Sequence, residues 1–133
     1  MKNWVYVMMA AMLIDLTGCA SEKKRENMDA ALRLYEQSIR WGSYTDAQLA
    51  LENPQSQEQL DSYKDIKVIS YEVKSQEIVG DFEQLNQIVD IKFYHEQQGV
   101  IQTLRDVQVW LYDQDRNGWV LKTGLPDFLS VFR

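Results

Sequence analysis

The chain has 133 residues, 45% hydrophobic and 26% charged, which fits one domain with an ordinary apolar core. Its net charge of −6 repels a phosphate backbone and argues against nucleic acid as a partner. A single cysteine, Cys19, excludes an intrachain disulfide, and with a single histidine, His95, no Cys/His zinc cluster can form, so no metal or cofactor is expected.

Met1 and Lys2 give a short positive start, "WVYVMMAAMLI" from Trp4 to Ile14 gives an apolar run, and small residues follow. This is the layout of a secretory signal peptide. As a helix the run reaches only ~17 Å at 1.5 Å per residue, against a hydrocarbon core of ~30 Å, so it is too short for a permanent span. Leu16-Thr17-Gly18-Cys19 then resembles the lipobox of bacterial lipoproteins: a leucine, two small residues and a cysteine. The resemblance implies that the Cys19 sulfur takes a diacylglyceryl group in a thioether, that the Gly18/Cys19 bond is cut so that residues 1–18 are discarded, and that the freed α-amine takes a third acyl chain. Asp15, just ahead of the motif, departs from the uncharged pattern of such signals. In the resembled lipoproteins an aspartate after the cysteine marks retention in the inner membrane, so with Ala20 there the resemblance implies transfer to the outer membrane. The discarded segment carries one lysine and one aspartate, so the mature chain keeps the charge of −6. Two membrane-binding signals hold a protein stably where one acyl chain does not.

"ASEKKR", Ala20 to Arg25, is polar and aperiodic, and residues 19–25 are expected to form the lipidated cysteine and a tether of ~22 Å at most when extended. Lys23, Lys24 and Arg25 suit anionic head groups or simple solvation of the linker. From Glu26, Met28, Leu32, Tyr35 and Ile39 follow a 4-3-4 spacing that predicts an amphipathic helix stopping at Gly42. Thr45 or Asp46 is the expected N-cap of a second helix ending before Pro54, and Ser56-x-x-Gln59 fits a capping box for a third.

After Asp65 the chain alternates as strands do. Ile69, Tyr71 and Val73 are expected on one face of the first, Val89, Ile91 and Phe93 of the second, and Val107, Val109 and Leu111 of the third, with Trp119 and Leu121 in a fourth. In the third strand Trp110 and Tyr112 are apolar too, so parity leaves its inward face open. Turn residues at Val79-Gly80-Asp81, Gln97-Gln98-Gly99 and Arg116-Asn117-Gly118 join consecutive strands, predicting an antiparallel meander. The fold class expected for 26–133 is α+β: N-terminal helices packed on a curved four-stranded sheet.

That order, with "ALRLYEQSIRWG", "YEVKS", "RDVQVWLYD", Trp119 and "LPDF" at Leu125 to Phe128, resembles small proteobacterial lipoproteins carrying an NTF2-like, or cystatin-like cone, domain. The matching residues concern packing and turns. The resemblance therefore implies a fold rather than an activity.

Asp113-x-Asp115-x-Asn117-Gly118 matches the first half of an EF-hand loop. Leu121 and Gly124 occupy the ninth and twelfth positions and the flanks are strand-like, so a hairpin turn with Asn117 and Gly118 at positive φ is expected instead. Members of the resembled fold with enzymatic activity use pocket Asp, His, Tyr or Arg residues, which makes Asp90, Asp106 and His95 the candidates for acid–base work. Both aspartates are opposite in parity to their apolar neighbours and are expected on the solvent face; His95 is expected at the surface. Aromatic residues are abundant, and Tyr35, Trp41, Tyr71, Phe93, Trp110 and Trp119 are the candidate lining of a pocket for a small apolar ligand, or otherwise core. Leu129, Val131 and Phe132 must pack back on the sheet or serve a partner. The expected function is that of a membrane-anchored binding or assembly module facing the periplasm, the alternatives being a self-associating structural accessory of an envelope complex and an isomerase- or dehydratase-type enzyme of the resembled fold. Membrane lipid engages it through Cys19, its other partner is an envelope protein or small apolar ligand, and no catalytic residue is assigned.

Overall fold

The computed structural model describes the backbone of residues 15–133 and the side chains from 20 onward; the apolar run 4–14 lies outside the described residues. Helix α1 spans Asp15–Arg40. It begins upstream of Glu26, so the stretch expected as an extended tether is helical. Ala, Glu, Lys and Arg are good helix formers, and neither Gly nor Pro interrupts them between Ala20 and Arg40. Its end is a Schellman motif. The Gly42 N–H donates to the Ile39 carbonyl at 3.1 Å and the Ser43 N–H to that of Ser38 at 2.8 Å, with Gly42 at φ +69°.

Helix α2, Tyr44–Ala47, continues into a 3₁₀ turn, Gln48–Ala50. Its N-cap is Ser43, ahead of the expected Thr45 or Asp46. Helix α3, Gln57–Asp61, starts with the expected capping box: the Ser56 hydroxyl accepts from the Gln59 N–H at 3.3 Å, and the Gln59 side chain accepts from the Ser56 N–H at 3.4 Å.

Strands β1 (Ile66–Val79), β2 (Gln84–His95), β3 (Ile101–Asp113) and β4 (Gly118–Leu121) form one antiparallel sheet in that order, a curved meander that does not close. Cross-strand partners share a face, and the register fixes which. Leu85 pairs Trp110, Gln87 pairs Gln108, Val89 pairs Asp106 and Ile91 pairs Leu104, all beneath α1; Val107, Val109 and Leu111 point the other way. The β2 expectation holds, with Val89, Ile91 and Phe93 fully buried. In β1 the register skips between Val68 and Ser70 and again between Val73 and Ser75. Each bulge adds an unpaired residue and bends the strand. Ile69 therefore leaves the face of Tyr71 and is 46% exposed, which corrects the simple alternation.

The core lies between α1 and this face: Tyr35, Ile39, Leu85, Val89, Ile91, Trp110 and Leu121 are buried together. A second aromatic group closes the other end. The Phe128 ring meets those of Phe93 (4.8 Å), Tyr63 (5.5 Å) and Tyr44 (6.1 Å). Phe128 belongs to a C-terminal 3₁₀ turn, Phe128–Phe132, whose Leu129, Val131 and Phe132 also pack on the core. The tail folds back, so its apolar residues are taken up internally.

Candidate functional site

Polar groups collect on the inward face at one place. Gln108 is fully buried and joins four side chains. Its Oε1 accepts from Gln87 Nε2 at 2.7 Å and from the Trp110 indole N–H at 3.0 Å. Its Nε2 donates to Asp106 Oδ2 at 2.8 Å and to the Tyr71 hydroxyl at 3.0 Å. Gln76 extends the row by donating to Gln87 Oε1 at 2.8 Å. The β2–β3 register sets this up, because Gln87 and Gln108 are directly opposed and Asp106 follows on the same face of β3. The Tyr35 hydroxyl is also buried and has no hydrogen-bond partner among the described residues.

Asp106 thus points inward, contrary to the expectation that it faces solvent. The cause is in β3, where both parities are apolar. Trp110, the larger side chain, takes the core position and carries Asp106 in with it, leaving Val107 56% exposed. Burial raises the Asp106 carboxyl above the usual carboxylate range, and the hydrogen bond from Gln108 offsets only part of this. Burial likewise lifts Tyr35 and Tyr71 well above an ordinary phenol, with Asp106 adding to both. A carboxyl held this way takes up a proton more readily than a surface aspartate.

Asp90 does lie on the outer face, clamped by Arg105 with contacts of 2.9 and 3.1 Å that lower its carboxyl. His95 ends β2, half-buried, with Nδ1 accepting from the Gln97 N–H at 3.2 Å and its ring edge-on to Phe132 at 6.0 Å. It is remote in the fold from Gln108: register places it opposite Ile66 at the far end of β1.

The six aromatic residues proposed as a pocket lining do not converge on one cavity. Tyr35, Phe93 and Trp110 are buried, Tyr35 packing edge-on to Trp110 at 5.3 Å. Trp41 is 81% exposed because it follows the last residue of α1, off the apolar stripe. Tyr35 and Trp119 instead back an open groove of about 440 Å³ between α1 and the α2 segment, floored by Ala31, Ala47 and Ala50 and flanked by Leu34 and Leu49, 67% and 79% exposed. Tyr71, half-buried, belongs to another groove, about 380 Å³ between α1 and β1, where it brings the polar row toward the surface beside Glu36 and Arg33.

The Asp113 to Gly118 segment is a turn, as expected. Asp113 Oδ1 accepts from the backbone N–H groups of Asp115 (2.9 Å) and Arg116 (3.2 Å), and the Tyr112 hydroxyl donates to Asn117 Oδ1 at 2.7 Å. Only Asn117 of the two expected residues has positive φ, +50°. Among the described residues no three His, Cys, Asp or Glu side chains are placed to share a metal ion. The Cys19 backbone lies within α1.

Gln87 and Gln108 were not among the sequence candidates. Their signal is a polar residue at an inward parity position, as in Leu85-x-Gln87-x-Val89. Comparison with protein-family models, with curated proteins and with solved structures finds no match to the chain.

Proposed function

We propose that the chain is a lipoprotein, cut before Cys19, acylated on it and held on the periplasmic face of the outer membrane, whose NTF2-like domain is a binding or assembly module of the cell envelope. The observation that carries this reading is Leu16-Thr17-Gly18-Cys19, one residue after the apolar run and followed by the polar, charged stretch Ala20 to Arg25. The thiolate is the nucleophile that acylation requires. Apart from the exposed Trp41, the candidate aromatic residues pack in or against the core rather than line an enclosed cavity, which favours a protein partner over an engulfed apolar ligand. The open groove between exposed Leu34 and Leu49 is the natural place for that partner. Intact-mass measurement on the membrane fraction tests the anchor. A chain starting at Cys19 with acyl additions is expected, and Cys19→Ser should leave the precursor unprocessed; unmodified full-length protein from wild-type cells would defeat the reading. Crosslinking in intact cells from cysteine-free photoreactive groups at Leu34 and Leu49 should capture an envelope protein.

A further inference from the structure

The start of α1 is not free to swing. Ser21 Oγ donates to the Asp81 carboxylate, 3.0 and 3.1 Å from its two oxygens, in the turn between β1 and β2. One turn later the Lys24 carbonyl accepts from the Trp119 indole N–H at 2.9 Å, while the Lys24 ammonium stands 4.9 Å from the centre of the Tyr112 ring. Tyr112 and Trp119 flank the β3–β4 turn, and the Tyr112 N–H donates to the Glu83 carbonyl at 2.9 Å, so the two hairpin turns are tied side by side. Cys19 precedes the first of these contacts by two residues, a rise of ~3 Å along a helix. The expected slack of a flexible tether is absent.

We infer that the end of the domain formed by the β1–β2 and β3–β4 turns is a lipid-facing surface, applied to the bilayer by the docked start of α1. This rests on the acylation of Cys19 proposed above. Ile78 and Val79, immediately before the first turn, are 44% and 41% exposed and suit the lipid interface. Lys23 and Arg25 are exposed on the adjoining helix, but so are Glu22, Asp81, Glu83 and Asp115 at the same end, so the short docked link to Cys19, and not charge attraction, sets the orientation. The opposite end, with Trp41 and the Gln97-Gln98-Gly99 turn, then points away from the membrane. Trp41 lies ~33 Å along the helix from Cys19 at 1.5 Å per residue. The domain therefore has one fixed orientation, and the groove beside Leu34 opens at mid-height rather than onto the head groups.

Acylation occupies the only cysteine, so single new cysteines can be labelled selectively. Acylated Glu83→Cys, Gln114→Cys and Gln98→Cys proteins carrying one fluorophore each are reconstituted into phosphatidylethanolamine/phosphatidylglycerol vesicles containing a head-group nitroxide quencher. Quenching at 83 and 114 is expected to exceed that at 98 severalfold. Equal quenching at all three sites, or greater quenching at 98, overturns the orientation. A nine-residue Gly/Ser insertion after Ala20, with a span of ~16 Å, should keep the anchor and erase the difference; a difference that survives the insertion overturns the role of the docked helix. Mass measurement on the same samples separates the two claims. Absence of acyl groups removes the anchor and this inference with it, whereas acylated protein without the quenching contrast removes the orientation alone.

Discussion

Replacing Gln108 with leucine tests whether the buried junction beneath α1 holds as described. The substitution keeps the volume close and deletes both the acceptor for Gln87 Nε2 and the Trp110 N–H and the donor to Asp106 and Tyr71. Trp110 is fully buried and Gln87 nearly so, so their orphaned donors cannot turn to water without disturbing the core. Each buried unsatisfied donor costs about 1–3 kcal/mol, and about 1 kcal/mol returns from the added apolar contact, leaving a net loss of ~3 kcal/mol. For a domain of this size that corresponds to a fall in Tm of ~12 °C. Thermal unfolding followed by circular dichroism, with urea titration to obtain the free energy, measures it. Gln87→Leu combined with Gln108→Leu should be less damaging than the sum of the single changes, because the Gln87 amide that the Gln108 change orphans is removed together with its acceptor. A loss below ~1 kcal/mol for the single variant would mean that Trp110 and Gln87 find other acceptors, and the junction assigned to Gln108 would be wrong.

Asp106 should make stability fall with rising pH. Its folded pKa is raised above the unfolded value of ~3.9, so the folded chain binds more protons, and stability declines from about pH 4 upward until the folded pKa is passed. Asp106→Asn should abolish that segment of the curve and leave the protein at least as stable at pH 7, as urea titrations from pH 4 to 8 would show. Phe128→Ala should cost ~3–5 kcal/mol, since the ring is fully buried against Phe93, Tyr63 and Tyr44; a cost near that of a surface change would show that the tail is not part of the core. Gly42→Ala meets open space apart from Tyr44 at 4.0 Å, so its cost of ~1–2 kcal/mol should come from the positive φ alone, and Gly42→Asn should be milder in the same melt.

How far the sequence carried depends on whether one residue type had a single place to go. Val89, Ile91 and Phe93 alternate with polar residues, so β2 had one possible inward face. β3 had two apolar faces, and the choice between them follows from fitting Trp110 against Tyr35, a contact between residues 75 apart that no local pattern contains. The fate of Asp106 hung on that choice. In β1 the bulges are properties of pairing with β2, so the position of Ile69 is invisible from its own neighbours. The capping box at Ser56 is local, and was legible for that reason. The start of α1 leaves no local signature, because residues 20–25 have no apolar stripe; what holds them are Asp81, Tyr112 and Trp119, far along the chain. Trp41 belongs to neither group, since one position past a helix end decides between core and solvent.

The bulges in β1 bear on how copies of the chain can meet one another. The sheet does not close, and among the described residues β1 is an edge strand of 14 residues, with no neighbouring strand along one side. A regular edge of that length is a template on which the next copy can add its own strand. Two irregularities break its straight line, and Lys67, Glu72, Lys74 and Glu77 charge it, Glu72 and Lys74 pairing at 2.8 Å. On the anchoring proposed above, copies would share a plane and an orientation and would meet edge to edge far more often than molecules tumbling in solution. A bent and charged border lets neighbouring copies crowd together without fusing into a continuous ribbon.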